Sequence, residues 1–244
     1  MLSSNIAVAA PPDSSFHNPF GFIEIRAGIE CPLNDNWYEV PPYNLSNPDN
    51  IRPYFCLSAG YPIKKTHFGI LGTFNYQSFV PDTTEFWRQT ELRNGFTWGN
   101  VHLTNTLAGF YFSQPAGRFT VDFNMQFGLT IVSIPEMDYK GVSPNHFGID
   151  SLTSNIIGAT KLIPSFNIGF SFKIQVNEDV ILSINFNEFY SHTKNAIETH
   201  TIESSYSGLF GNYFSNTTTY SDIKYVVLDC TFGIGYRIDV KTKK

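Results

Sequence analysis

Charge is scarce in this chain. Asp, Glu, Lys and Arg make up 15% of its 244 residues, against about 25% in ordinary soluble domains. A water-facing surface of normal size would be short of ionic groups. No Lys/Arg-rich block occurs and the formal net charge is −5, which excludes a nucleic-acid partner, since phosphate binding needs concentrated positive charge. No run of about 18 apolar residues is present, so no helix spans a membrane. The mean hydropathy of −0.14 says nothing of membrane strands, because alternation keeps their average low.

Metal and cofactor motifs are absent too. The three cysteines, Cys31, Cys56 and Cys230, lack C-x-x-C spacing. Cys230 reads as a small hydrophobe, and a Cys31 to Cys56 disulfide stays open. His192 and His200 make no i, i+4 pair and the other histidines are scattered, so no zinc site is expected. Gly233 and Gly235 sit inside a strand with no helix after them, which is not a dinucleotide fingerprint. The acidic set Asp35, Asp49, Glu136, Asp138 and Asp150 has no calcium-loop spacing and reads as solvated charge. No cofactor is expected.

What the chain has in abundance is aromatic alternation, with 23 Phe and 13 Tyr. In "GRFTVDFNMQFGLTIVSI", Phe119, Val121, Phe123, Met125, Phe127, Leu129 and Ile131 share one face, and Arg118, Thr120, Asp122, Asn124, Gln126, Gly128 and Thr130 the other. Period two is the mark of a half-buried strand. The same alternation runs through "GFIEIRAGIE", "PYFCLSAGY", "THFGILGTFNYQ", "SFNIGFSFKI", "VILSINFNEFY" and residues 223–240. "NVHLTNTLAGFYF" breaks it, since Leu103, Leu107 and Tyr111 have one parity and Ala108, Phe110 and Phe112 the other; a bulge near Thr106 would shift the phase.

The reading is eight strands whose connections alternate in length. Those near 62–65, 113–117 and 176–179 are short, and those near 31–52, 78–99, 135–161 and 193–221 are long. In an up-and-down barrel every second connection lies at the same end, so the long loops gather at one rim and the tight turns at the other. The expected fold is all-β, a closed eight-stranded antiparallel transmembrane barrel over 18–240. Residues 1–17 read as a disordered remnant of a signal region and 241–244 as a short periplasmic tail.

Alternation alone does not say which face is inside, because a soluble ligand-binding barrel of the lipocalin type has the same period and an apolar interior. The polar faces decide for the membrane: they hold mostly Gly, Ser, Thr, Asn and Gln, where a soluble surface would carry many Lys and Glu. With eight strands the interior is filled by side chains. The few charges there, Glu24, Arg26, Glu30, Arg118, Asp122, Lys173, Asp229, Arg237 and Asp239, are therefore expected to pair in a lumenal network. Antiparallel closure of the first and last strands would bring Glu24 near Arg237, with Arg26 close by. Tyr61, Tyr76, Tyr190 and Tyr236 fall at the ends of the apolar faces, where rings meet lipid headgroups.

In these residues the chain resembles the small Gram-negative outer-membrane β-barrel family over about residues 18–240. "TFGIGYRI" matches that family's assembly signal through Thr231, Gly233, Tyr236 and Ile238, although the chain runs on through "DVKTKK" instead of stopping at a terminal aromatic. The resemblance implies an outer-membrane location, lipid and the barrel assembly machinery as partners, termini in the periplasm and long loops outside the cell. Other outer-membrane proteins or surface glycans are further partners it admits.

Function is not named by the fold. Loop aromatics that could anchor a partner are Trp37, Tyr38, Trp87, Trp98, Phe210 and Tyr213; the competing reading packs them as a lid on the barrel mouth. His192 and His200 with Glu198 or Glu203 and Ser204 or Ser205 are the right materials for acyl transfer, though a Ser-, Thr- and Glu-rich loop assembles such triples by chance. Asp82-Thr83-Thr84 and Asp150-Ser151-Leu152 have the form of O-glycan acceptors, a motif short enough to arise by chance. The expectation is a structural or interaction role through the loops without catalysis, with a membrane enzyme, a small-solute channel or a soluble ligand-binding barrel as alternatives.

Overall fold

The computed structural model describes residues 21–33, 39–40, 43–44, 52–63, 66–79, 99–145, 148–207 and 211–238. Its strands are β1 (Gly21–Pro32), β2 (Glu39–Val40), β3 (Tyr43–Asn44), β4 (Arg52–Pro62), β5 (Phe68–Phe79), β6 (Val101–Ala116), β7 (Phe119–Ile134), β8 (Met137–Asn145), β9 (Gly148–Ile156), β10 (Ala159–Gln175), β11 (Val180–Ser207) and β12 (Gly211–Ile238). Eight of them, β1, β4, β5, β6, β7, β10, β11 and β12, form a closed antiparallel ring in which each pairs with its neighbours and β12 returns to β1.

The register fixes the shape of the cylinder. Starting at Pro32 and stepping from strand to strand through Val227, Phe189, Asn167, Gln126, Gly109, Leu71 and Gly60, the ladder comes back to β1 at Phe22. One circuit thus costs ten residues. Ten rises of about 3.3 Å against eight spacings of about 4.8 Å set a strand tilt of about 40°, inside the range of closed barrels. At that tilt Tyr61 and Tyr236 share one level, and Tyr76 and Tyr190 lie roughly 20 Å above it, close to the apolar band of an outer-membrane barrel.

Between those rings the outer wall is apolar. Phe123, Phe127, Phe170, Phe172, Ile25 and Phe232 all face outward and are exposed. Closure matters as much as the side chains, because an open edge in hydrocarbon would strand amide groups at several kcal/mol each.

Two hairpin turns close in the expected places and one moves. β6 runs on to Ala116, so the β6–β7 turn is Gly117–Arg118 alone, with Gly117 at φ 68°. A two-residue hairpin needs that left-handed backbone at its first position, which glycine takes without strain. Arg118 is consequently an exposed turn residue and not a lumenal one.

Three further expectations are corrected. β6 carries no bulge: its registers with β5 and β7 run unbroken past Thr106. Leu103, Leu107 and Tyr111 all point inward, and the strand looked out of phase only because it is apolar on both sides. The stretches 135–161 and 193–221 are not open loops. The first contains the hairpin β8–β9, and the second is the far half of β11 and β12, which stay paired from Ile197 opposite Ser221 to Ser207 opposite Gly211. Thr and Ser at alternate positions suit a strand pairing above the membrane. Cys31 and Cys56 are both free: Cys56 faces the lumen opposite Arg26, five residues along β1 from Cys31.

Candidate functional site

The inward residues stack in four tiers, and the lowest is a plug. Phe22, Leu71, Tyr111 and Ile181 cluster just inside the turn end of the barrel. Phe22 and Tyr111 meet edge to face at 5.9 Å between centroids. Each ring lies over a glycine, Phe22 on Gly60 and Tyr111 on Gly69, where any Cβ would collide with the ring. Lys173 is threaded into this plug: its Nζ is 2.6 Å from Asp122 Oδ2 and 3.3 Å above the Phe22 centroid. The carboxylate supplies the opposite charge that burial of an ammonium demands, and the ring face adds a second stabilising contact.

Above it lies an amide and carboxylate tier. Arg26 Nη2 donates to Glu24 Oε2 at 2.9 Å, and Ser183 donates to the other oxygen of Glu24. A chain of side chains then crosses the lumen. Gln126 donates to Thr73 at 2.8 Å, Asn167 to Gln126 at 3.1 Å and to Asn124 at 3.3 Å, Asn124 to Asn187 at 3.3 Å, and Asn187 to Asp229 at 2.7 Å. Two of these bonds, Gln126 to Thr73 and Asn124 to Asn187, join strands that no backbone ladder pairs, β7 with β5 and β7 with β11. Gly233 leaves the space that Glu24 and Ser183 occupy.

The third tier is built on Tyr225, whose hydroxyl contacts Glu30 and, at 2.8 Å, Gln77. Asn75 donates to Tyr54 at 2.6 Å. Arg52 is buried beside them and pairs in register with Glu30. The topmost tier is apolar again, with Val101, Leu103, Val132, Ile163, Ile197 and Ile223 almost fully enclosed. The filled polar lumen expected from the sequence is therefore corrected in one respect: an apolar cluster lies at each end of it, the lower one built around the Lys173–Asp122 pair.

Of the charges assigned to the lumen, Glu24, Arg26, Glu30, Asp122, Lys173 and Asp229 lie in it and are buried. The β1–β12 register sets Arg237 opposite Phe22 and Glu24 opposite Gly235, and the partner of Glu24 is Arg26 on its own strand. Arg118 is in the turn, and Asp239 lies outside the described residues. Along β12, Thr231 and Gly233 face inward while Tyr236 and Ile238 face outward. Trp37, Tyr38, Trp87, Trp98 and Phe210 lie outside the described residues, as do segments 1–17 and 241–244. Tyr213 sits on β12 opposite Ser205.

Of the acyl-transfer materials, His192, Glu198 and His200 are described with their side chains. His200 Nε2 is 2.9 Å from Glu198 Oε1, and its Nδ1 is 3.3 Å from Thr218. The backbone of Ser204 is four residues farther along the same strand, about 13 Å away. His192 faces Asp222 at 3.9 Å, and Asp222 also accepts from the Asn195 amide at 2.8 Å. Among the described residues no group of three or more metal-ligating side chains is gathered. Sequence reasoning missed Tyr225, Ser183, Asn187 and Gln126 as network members, although their inward parity was readable.

No protein-family model matches the chain, and no curated protein does. Among solved structures it is similar to a major outer membrane protein from Thermus thermophilus, at 10% identity over 89% of this chain and 99% of that one, with a TM-score of 0.47. It is similar to Neisserial surface protein A at 9% identity over 89% and 97%, TM-score 0.47. Ail, the attachment invasion locus protein of Yersinia pestis, matches at 11% identity over 91% and 100%, TM-score 0.42. By its eight-strand closure and apolar outer wall, this chain has the fold of a small outer-membrane β-barrel.

Proposed function

We propose that the chain is a bacterial outer-membrane barrel that serves as a sealed anchor, presenting its long-loop end outside the cell for adhesion or for assembly with other outer-membrane components. Its termini then lie in the periplasm, and Thr231, Gly233, Tyr236 and Ile238 serve as the signal read by the barrel assembly machinery. Surface glycans and neighbouring outer-membrane proteins are the partners this role admits, through Trp37, Tyr38, Trp87, Trp98, Phe210 and Tyr213. The chain acts without catalysis on this reading, which the separation of His200 from Ser204 supports.

The observation that carries the proposal is the pair of apolar seals with a hydrogen-bonded interior between them. A pore that conducts solutes needs a wetted path, and here packed apolar side chains stand at both ends, with the Lys173–Asp122 pair set into the lower one. The other support is the ribbon: from Tyr190 to Ser207, β11 carries roughly 50 Å of strand beyond the tyrosine ring. A chain that only filled membrane would have no use for it.

The test is electrical and then mechanical. The purified barrel in a planar bilayer is expected to give no steady unitary current, and a stable conductance would contradict the anchor reading. Excising 199–219 from the ribbon should leave the heat-modifiable barrel band on SDS gels intact while cell attachment or co-purification of outer-membrane partners is lost. Unchanged attachment would remove the role assigned to the ribbon.

A further inference from the structure

Above the apolar wall the sheet has two open sides. Its strand order ends at β8, and β12 parts from β1 at Val226, whose carbonyl accepts from the Leu33 amide at 2.8 Å. Beyond that point β12 pairs with β11 alone among the described residues, and β2, which comes near it, pairs only with β3. Backbone groups along a strand point alternately to its two neighbours. The bulge between Thr193 and Ile197 lies on β11, so β12 keeps its alternation. Val226 faces the β1 side, and the N–H and C=O groups of Tyr220, Thr218, Asn216 and Phe214 therefore face that side too, with no strand to receive them.

The two open sides differ in chemistry. β8 contains Asp138, Lys140 and Pro144, the residue types with which exposed edges resist pairing. From Gly211 to Ser221, β12 has neither a charge nor a proline. The stretch is also close to self-complementary about Thr217. Laid antiparallel on a second copy centred there, Phe214 meets Tyr220, Ser215 meets Thr219 and Asn216 meets Thr218. Aromatic pairs and hydroxyl pairs are among those that stabilise neighbouring antiparallel strands. Phe214 and Tyr220 are both exposed, and the even-numbered pairs are the ones whose unused backbone groups would bond.

We propose that this edge pairs with the same edge of a second copy carried on an opposing membrane. The inference rests on the outward presentation of the ribbon proposed above, and it names the partner. Geometry requires opposed membranes. Antiparallel pairing relates the copies by a two-fold axis normal to the sheet, and that axis lies in the membrane plane and turns one membrane to face the other. Two copies in one membrane are instead related by an axis along its normal, and at a tilt of about 40° their β12 strands would cross at about 80°. Thr217 is nine residues above Val226, the partner of Tyr190, so the two upper tyrosine rings would stand about 45 Å apart. Phe214–Tyr220 is less than half of the about 20–30 residues a side of a stable interface. One pair is therefore weak, and contact depends on many copies acting together.

The experiment is clustering of phospholipid vesicles bearing the full barrel, read by energy transfer between two populations with different lipid dyes. Native barrels on both populations should bring them together, and barrels on one alone should not. Thr218→Pro removes a donor from the open side without touching the β11 ladder and should abolish transfer, while Val142→Lys, on β8, should leave it unchanged. Asn216→Lys with Thr218→Lys should fail against itself, as should Asn216→Glu with Thr218→Glu. The two mixed should cluster again, because unlike charges then meet across each pair. Heat-modifiability confirms that each variant is folded. No transfer between native populations, transfer with barrels on one population alone, undiminished transfer with Thr218→Pro, loss with Val142→Lys or no recovery in the mixture would each overturn the pairing. Cell attachment that still depends on 199–219 while native vesicles stay apart removes the second copy as partner and leaves the role of the ribbon standing.

Discussion

Lys173 and Asp122 meet at 2.6 Å on neighbouring strands near the turn end of the barrel, both buried, with the Phe22 ring closing over the ammonium. Their pairing shows how the lumen tolerates charge: one partner from β10, one from β7, and an aromatic lid from β1 in place of water.

Removing one member of that pair should be far worse than removing both. Asp122→Asn or Lys173→Met alone is expected to cost about 3–5 kcal/mol, because the survivor is left as an uncompensated buried charge, whereas Asp122→Leu with Lys173→Met should come much closer to the native stability. Urea unfolding in lipid vesicles followed by tryptophan fluorescence reads all three. A double variant as weak as the sum of the singles would show that the pair itself, and not charge balance, holds this tier.

Glycine positions should divide by face. Gly60 lies under the Phe22 ring, so Gly60→Val must push the ring out of the lower seal and is expected to cost about 1–3 kcal/mol. Gly72 has open space outside its Cα, and Gly72→Val adds only apolar wall. The temperature at which the folded gel band disappears should fall for the first and hold for the second.

The upper seal makes a packing prediction. Leu103→Ala removes hydrocarbon from an enclosed cluster and should cost about 2–5 kcal/mol, while Leu129→Ala, on the outward face of β7, should cost much less because lipid fills the space. Equal losses at the two sites would mean that both side chains are packed against protein.

The two thiols nearest the first strand should stay apart under oxidation. Cys56 faces inward and Cys31 lies about 16 Å along β1 from the residue opposite it, far beyond the reach of an S–S bond. Non-reducing gels after copper-phenanthroline treatment should show no intramolecular shift; a compacted band would contradict the β1–β4 register.

Much of this architecture could be read from residues because side-chain parity is rigid in a strand. Phe119 to Ile131 on one face and Asp122 to Thr130 on the other leave no freedom about what lies inside once the polar face is recognised as too poor in Lys and Glu for water. Three things escaped for physical reasons. Leu103, Leu107 and Tyr111 belong to a seal, and a strand apolar on both faces loses its period. The ribbon formed by Ile197–Ser207 and Gly211–Ser221 has loop-like composition, and only its pairing reveals it as sheet. The place of Arg118 depended on the β6–β7 register: β6 runs on to Ala116, which leaves Arg118 in the turn and not in the lumen.

The central claim is that Phe123, Phe170 and Phe232, 51%, 43% and 67% exposed on the outer wall, touch acyl chains. Spin labels placed singly at these positions in a cysteine-free background, in phospholipid vesicles, measure it directly through collision with oxygen and with a water-soluble nickel chelate. High oxygen and low nickel accessibility are predicted at all three. Low accessibility to both would put the phenylalanines in a packed interior and contradict the claim.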